Sequence, residues 1–460
     1  MSTPVAEELA SRLCDGYARP LASDVEGRAV DLLRDYLGVA LGGAQAESSA
    51  TLRRGLLTLG ATGTATVIGT PAVMSPAHAA LANGAAAHTL EMDDTHQGGS
   101  IHLGASVFSA ALAAAELTGG SGSAVLRAAT AGYEVAARLA MALHPAAHYA
   151  RGFHPTGTCG AFGAAAAAGL IAGLDASRLA DAFGIAGSQA AGSMEFLADG
   201  TWTKRFHPGW AAAAGLHAAA LAGAGFRAPH TIFEGRFGTL HGYSDGAAVE
   251  CLLAPRVEAL MRTSIKPHAC CRYAQGPIDA VLELRRRHAL SADTVGRIDV
   301  GLVSAAFPIV CEPADAKRRP RSVVDAQFSL PFSLAVALVA GAASPDEYTA
   351  ERFEEPAVRR LMDVVEAHHD AALDARYPAV WPVWVRVTTR DGTVHEARVD
   401  HPRGDPENFP GHDELAAKFR RLAARVLDAA AIERLDAAVA AFPRSPHAAD
   451  LLALTRPRAK

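Results

Sequence analysis

Apolar positions recur at helical spacing through most of the first 260 residues. Residues 5–45 alternate apolar and charged positions in this way and end on paired glycines, which predicts an amphipathic helix. Further helices are expected over 48–60, 76–95, 105–118, 122–142, 176–197 and 208–225, and at 152–173 a loop feeds a helix faced with small residues. Ser75-Pro76 sets the start of the 76–95 helix, a serine at the N-cap followed by proline at the first helical position. No β pattern is legible before residue 260. The texture then changes. Residues 294–303 read as a strand, and 383–399 as a hairpin with Val383, Val385 and Val387 pointing inward and Asp391-Gly392 at the turn. Helices are expected between them at 274–288, 329–342 and 355–368. Residues 402–411 form a proline- and glycine-rich linker, and 414–442 return to helix.

The fold class that follows is mainly α: a large all-helical domain plus a smaller α+β domain. The expected boundaries are 1–264 for the first part of the helical domain and 265–401 for the α+β domain. Residues 402–460 are the linker and the C-terminal helices, which pack back on the helical domain. A chain of 460 residues is too long for one ordinary core, which also favours two domains. Half of the residues are hydrophobic, many of them alanine, so close helix contacts through small side chains are expected.

Charge narrows the function. A formal net charge of -5 gives no case for nucleic acid or for an anionic membrane surface, and no apolar run is long enough to span a bilayer. The six cysteines are scattered without a CxxC pair, which argues against a disulfide framework or an iron–sulfur cluster. The acidic start MSTPVAEELASRLCDG lacks the regions of a signal peptide, so a cytoplasmic protein is expected. Gly157, Gly160 and Gly163 do not make a GxGxxG, and no strand precedes them, so a dinucleotide fold is not supported.

The chemistry concentrates in 88–104, HTLEMDDTHQGGSIHLG. On a helix running to residue 95, Glu91, Asp94 and Thr95 share a face with His88 one turn earlier. Acidic groups at a helix C-terminus oppose the macrodipole, so a cap is a poor explanation for them. Three further clusters stand out: His154 before a helix start, Lys204-Arg205-His207 at another, and Lys266, His268 and Arg272 around Cys270-Cys271. Two cations at a positive helix end call for an anion, and Arg272 offers bidentate carboxylate binding. Cys270 and Cys271 read as packing cysteines, and Glu134–Arg138 as a structural i,i+4 ion pair. Cations on several elements beside acid–base groups suit a polycarboxylate substrate and proton abstraction next to a carboxylate. A metal is the competing idea, with His88, Glu91, Asp94, His96 and His102 as ligands; without an HExxH-type pattern, no metal is expected.

The stretches LEMDDTH (90–96), GYEVAAR (132–138), GFHPTGTCGAFGAAAAAG (152–169), GTWTKRFHPGWAA (200–212), IKPHACCRYAQGPIDA (265–280), DAQFSLPFSLAVAL (325–338) and PRGDPEN (402–408) together resemble the MmgE/PrpD family. That family includes 2-methylcitrate dehydratases, cis-aconitate decarboxylases and iminodisuccinate epimerases. The resemblance implies a cofactor-independent, homodimeric enzyme whose α+β domain is a lid over a helical domain built from both chain ends. It implies a site of Glu91, Asp94, Thr95, His102, His154, Lys204 and Lys266. His102 and His154 would transfer protons, with the Glu91/Asp94 pair as the other base, while Lys204 and Lys266 would hold carboxylates. Acid–base dehydration of a hydroxy polycarboxylate, citrate- or 2-methylcitrate-like, is the leading expectation; epimerisation and decarboxylation are the alternatives. Cis-aconitate decarboxylases carry aspartate where Glu91 stands and a site tyrosine that aligns with Phe332, which weakens the decarboxylase alternative.

Overall fold

The computed structural model of the protein describes residues 3–254 and 258–457. Among these the chain is mainly α-helical, with a smaller α+β unit in its C-terminal half. The helical lobe is organised around Pro155–Ile171, whose residues are nearly all buried. Thr203–Gly223, Gly122–Ala142 and Gly104–Thr118 pack around it, and Pro76–His88 packs on Thr203–Gly223. Alanine and glycine make this approach possible. A Cβ at Gly132 would stand 2.7 Å from the Gly163 carbonyl oxygen, and one at Gly163 would stand 2.6 Å from that of Gly132. The two helices therefore cross backbone to backbone, which any larger residue at either point would prevent.

Several predicted elements are divided. The stretch 5–45 is two helices, Val5–Tyr17 and Ser23–Gly43, separated around Pro20, whose ring cannot continue an α-helix. The 414–442 stretch is likewise His412–Ala423 and Ala429–Ala441, and 176–197 holds Ala176–Gly187 followed by the short Phe196–Asp199. The helix starting at Pro76 stops at His88, seven residues earlier than its apolar composition predicts.

The α+β unit carries a four-stranded sheet in the order Val365–His369, Val295–Leu302, Val383–Thr389, Val394–Val399. The first pair is parallel and the others antiparallel. Val383, Val385 and Val387 are buried as their alternation predicts, and Gly392 takes a positive φ at the turn. Val365–His369 is a strand where a helix over 355–368 is expected; the helix Pro356–Asp363 ends first. VEAHH is too short and too polar to announce itself as a strand, and pairing with Val295–Leu302 decides its conformation.

Two connections join this unit to the helical lobe at the place that matters. Thr95–His96 pairs antiparallel with Thr263–Ser264. Beyond the sheet, Gly404 (φ +99) lies so close to Ile265 that a Cβ there would sit 1.7 Å from its carbonyl oxygen. The chain then packs His412–Ala423 on Ser23–Gly43, where Lys418 reaches Asp35 (2.5 Å) and the Met92 carbonyl (2.8 Å). Among the described residues no helix is long and apolar enough to cross a membrane.

Candidate active site

A cavity lies between the helical lobe and the α+β unit. Glu91, Thr95, His102, His154 and Lys204 reach it from the helical lobe. Cys271, Arg272, Tyr273, Ile309, Phe328 and Trp381 reach it from the other side. Six of the nine candidate residues, Glu91, Thr95, His102, His154, Lys204 and Arg272, thus line one space. Lys266, fully buried, stands directly behind Glu91.

The local geometry begins where the Pro76–His88 helix stops. Glu91 has φ +53, a conformation that costs a non-glycine residue free energy and that the surrounding ion pairs hold in place. Its carboxylate is gripped from both sides: Lys204 Nζ donates to Oε1, and Lys266 Nζ donates to Oε2 at 3.2 Å. Burial pushes the Glu91 carboxyl up, but Lys204 and then Lys266 outweigh it and hold it below the usual carboxylate range. Lys266 also lies 3.8 Å from Asp93 Oδ1.

Beyond Glu91 the chain is no longer helical, so neighbouring side chains point in different directions. Asp93 turns to the histidines: its Oδ2 is 2.7 Å from His88 Nδ1 and 3.0 Å from His102 Nδ1, the second contact electrostatic rather than aligned for a hydrogen bond. Asp94 turns away from the cavity. Its Oδ1 accepts the Gly104 N–H at 2.8 Å, at the start of the Gly104–Thr118 helix, and its Oδ2 accepts the Tyr133 hydroxyl at 2.5 Å. Burial raises its pKa to about 7, although both hydrogen bonds favour the carboxylate. Asp94 therefore supports the loop from behind instead of facing substrate. Thr95 does face the cavity, and its buried Oγ1 has no hydrogen-bond partner.

The Gly98-Gly99 turn brings the chain back, with His96 and Ile101 paired, and His102 N–H donates to Thr156 Oγ1 at 3.1 Å. Thr156 is thus an anchor for His102 rather than a helix cap. His154 is the N-cap of Pro155–Ile171, and its Nδ1 lies 3.0 Å from His207 Nδ1, one of the two nitrogens donating. Burial lowers His102 to about 3 despite Asp93, and burial followed by the charge of His207 and Lys204 holds His154 well below the ordinary histidine range. Both imidazoles are neutral at physiological pH in the free protein and are competent proton acceptors. Bringing a polyanion into the cavity favours their charged forms, so substrate itself shifts the pair towards proton donation.

The remaining candidates separate. Arg272 lines the cavity while its guanidinium donates to Asp405, which also accepts from Ser264 at 3.0 Å. His268 is not brought to this cavity. It pairs with Asp279 at 2.9 Å and faces a different cleft, on the far side of Lys266, lined also by Arg403, Lys418 and Arg421. One residue, Pro267, separates it from Lys266, and the chain's direction at that point carries it outward. Arg205 is spent on Ser48 and Gln327. Burial drives the Cys270 thiol up to about 12 and Cys271 upward too, which removes both as nucleophiles at neutral pH. Phe332 is in the core against Tyr348 and Phe353, with ring centroids 5.3 Å from each, and does not line the cavity. Glu134 and Arg138 form the expected i,i+4 pair at 3.0 Å.

Asp93 escaped the sequence reading as a site residue, while His88 appears there only beside Glu91 and as a candidate metal ligand, and His207 only as part of the Lys204 cluster. Continuing the helix to residue 95 selects Asp94 and turns Asp93 outward. Ending it at His88 selects Asp93. The only signal available was the Ser75–His88 helix length, which composition alone does not set.

The profile of the MmgE/PrpD N-terminal domain matches residues 7–252, and that of the MmgE/PrpD C-terminal domain matches residues 268–442. The chain is 28% identical to the cis-aconitate decarboxylase-like protein oryM of Aspergillus oryzae, over 98% of each chain. It is 27% identical to a cis-aconitate decarboxylase of Aspergillus terreus (94% of this chain, 92% of the relative) and 25% identical to that of Mus musculus (95% and 90%). Matched by both domain profiles across nearly its whole length, this chain belongs to the MmgE/PrpD family and is an enzyme of the lyase type.

Proposed function

We propose that the enzyme breaks a bond next to a carboxylate of an unsaturated or hydroxylated polycarboxylate, without a cofactor, by proton transfer through His102 and His154. The observation that carries this reading is the convergence in one cavity of two neutral imidazoles with Lys204 and Arg272, and with Lys266 immediately behind. The cations hold carboxylates; the imidazoles exchange protons with the adjacent carbon. Asp93 is the group that orients His102, as His207 orients His154.

Between the outcomes open to such a site, we favour decarboxylation. In that step a β,γ-unsaturated acid loses CO2, the double bond shifts, and the far alkene carbon takes a proton from a histidinium, which solvent then reprotonates. Two observations support this order over dehydration. The missing hydroxyl at Phe332 has no bearing on the cavity, because that side chain is in the core. The similar curated proteins that align over nearly the whole chain are named as cis-aconitate decarboxylases. Dehydration of a hydroxy polycarboxylate is the second reading; it needs the same base and a donor aimed at the leaving oxygen, for which Thr95 is in place.

Incubation of the protein in D2O with cis-aconitate, citrate, 2-methylcitrate and iminodisuccinate, followed by proton NMR, separates these. Decarboxylation gives a terminal methylene and one carbon-bound deuteron; dehydration gives a new vinylic proton; epimerisation gives exchange with inversion. A panel in which no compound exchanges or reacts would end the proton-transfer reading.

A further inference from the structure

We propose that His88, His102 and His154 form a binding site for a divalent transition-metal ion of the zinc, cobalt or copper class, and that occupancy inhibits the enzyme. The inhibition, though not the binding, rests on the proton-transfer roles of His102 and His154.

The three rings converge, with centroids 4.5 Å apart for His88–His102, 6.0 Å for His88–His154 and 6.2 Å for His102–His154. One ring nitrogen from each lies within 4.8 Å of the other two. Tetrahedral zinc–nitrogen bonds of about 2.1 Å place two ligand nitrogens roughly 3.4 Å apart, so the rings draw in by at most about 1.4 Å on binding. Small rotations of side chains accomplish that.

The surroundings favour a metal more than the spacing alone does. Each ring has its Nδ1 placed against another side chain: Asp93 serves His88 and His102, and His207 serves His154. A carboxylate behind a ligating histidine fixes its orientation and raises its basicity, an arrangement recurrent in zinc sites. His88 is fully buried, and its Nε2 has no hydrogen-bond partner, a donor or acceptor left idle where an unpaired polar atom is costly. His88 does not line the cavity, so the proton chemistry leaves it without a use. The field does not repel a cation either, because Glu91 and Asp93 offset the ammonium groups of Lys204 and Lys266. Neutral imidazoles suit zinc, copper, cobalt and nickel over magnesium or calcium. An ion there occupies the lone pairs that would accept substrate protons, which is why occupancy stops turnover.

Equilibrium dialysis of the chelator-treated full chain against Zn2+, with metal analysis of the protein, is the direct test, and Co2+ absorption reports the coordination geometry. The expected result is one ion per chain. His88→Gln and His154→Gln should abolish this uptake, and Asp93→Asn should weaken it about 10- to 100-fold. Circular dichroism checks that each variant folds; if His88→Gln does not, His154→Gln carries the test. No stoichiometric uptake, or uptake unchanged in the folded histidine variants, overturns the site; in the second case the ion would be held elsewhere, as by His401, Asp405 and Glu407. Stoichiometric Zn2+ should remove turnover and a chelator should restore it. Binding with turnover unchanged or increased overturns the inhibition. A metal-free protein inert towards every polycarboxylate counts against the proposed function and leaves the binding result standing.

Discussion

The two sides of the cavity are built on different principles. The helical lobe delivers its groups from one loop and two helix starts, all backed by close-packed alanine and glycine, and its ionisable side chains are set against one another: Glu91 with Lys204, His88 with Asp93 and His154 with His207. The α+β unit delivers Lys266 and Arg272 together with a broad apolar wall that includes Ile309, Phe328 and Trp381. The first side is rigid and suited to moving protons between fixed points; the second is suited to holding and selecting a ligand. On the proposed function, proton transfer falls to the helical lobe, while recognition draws on both sides: Lys204 on the first, and Arg272 with the apolar wall on the second. This division has a physical basis, since proton transfer tolerates little displacement whereas apolar contact tolerates more.

The sharpest way to break the contrast is at the imidazoles. His102→Ala or His154→Ala should lower kcat by about 10²- to 10⁴-fold with little change in KM, as loss of a general acid–base group does. A comparable loss from removing an apolar residue such as Trp381 would dissolve the division. Next in size is Lys266→Met, which leaves Glu91 and Asp93 buried with one cation fewer. It should destabilise the protein by about 3–5 kcal/mol, read by denaturant unfolding, and raise KM more than it lowers kcat. Asp94 should reveal itself through pH. Its folded pKa of about 7 exceeds the ordinary 3.8, so the native state holds a proton that the unfolded chain releases. Its contribution is therefore fully present below about pH 4 and is lost as pH rises to about 7. The loss amounts to at most about 4 kcal/mol at one pKa unit per 1.36 kcal/mol. Asp94→Asn should flatten that part of the thermal-stability profile, and an unchanged slope would show that the group does not titrate there. Smallest is Phe332→Tyr, which adds a hydroxyl to a packed core. It should cost about 1–3 kcal/mol in stability and leave the ratio of reaction products unaltered by NMR.

Much of this was legible in the sequence. Helical periodicity places most elements, the Val383–Val387 alternation gives the hairpin, and the clusters around Glu91, His102, His154 and Lys204 do meet. The failure that bears most on the site comes from composition. A helix composed almost entirely of alanine carries no amphipathic stripe, so nothing in its pattern marks where it ends, and Pro76–His88 stops without a glycine cap. That single uncertainty exchanged Asp93 for Asp94. His268 and Phe332 went astray differently: both neighbour site residues in sequence, and only tertiary packing tells which way each side chain turns. The strand Val365–His369 exists because a partner strand is beside it, information no local window contains.

The short ladder between Thr95–His96 and Thr263–Ser264 has a mechanical consequence. It fastens Thr95–His96, which line the cavity, to the segment that leads into Lys266 and Arg272. Any opening that admits a ligand must pivot about this seam or unzip it, so the distant rim travels furthest while the proton-handling loop hardly moves. Hydrogen exchange reads this directly: the amides of these four residues should be protected like those of the core if the seam holds.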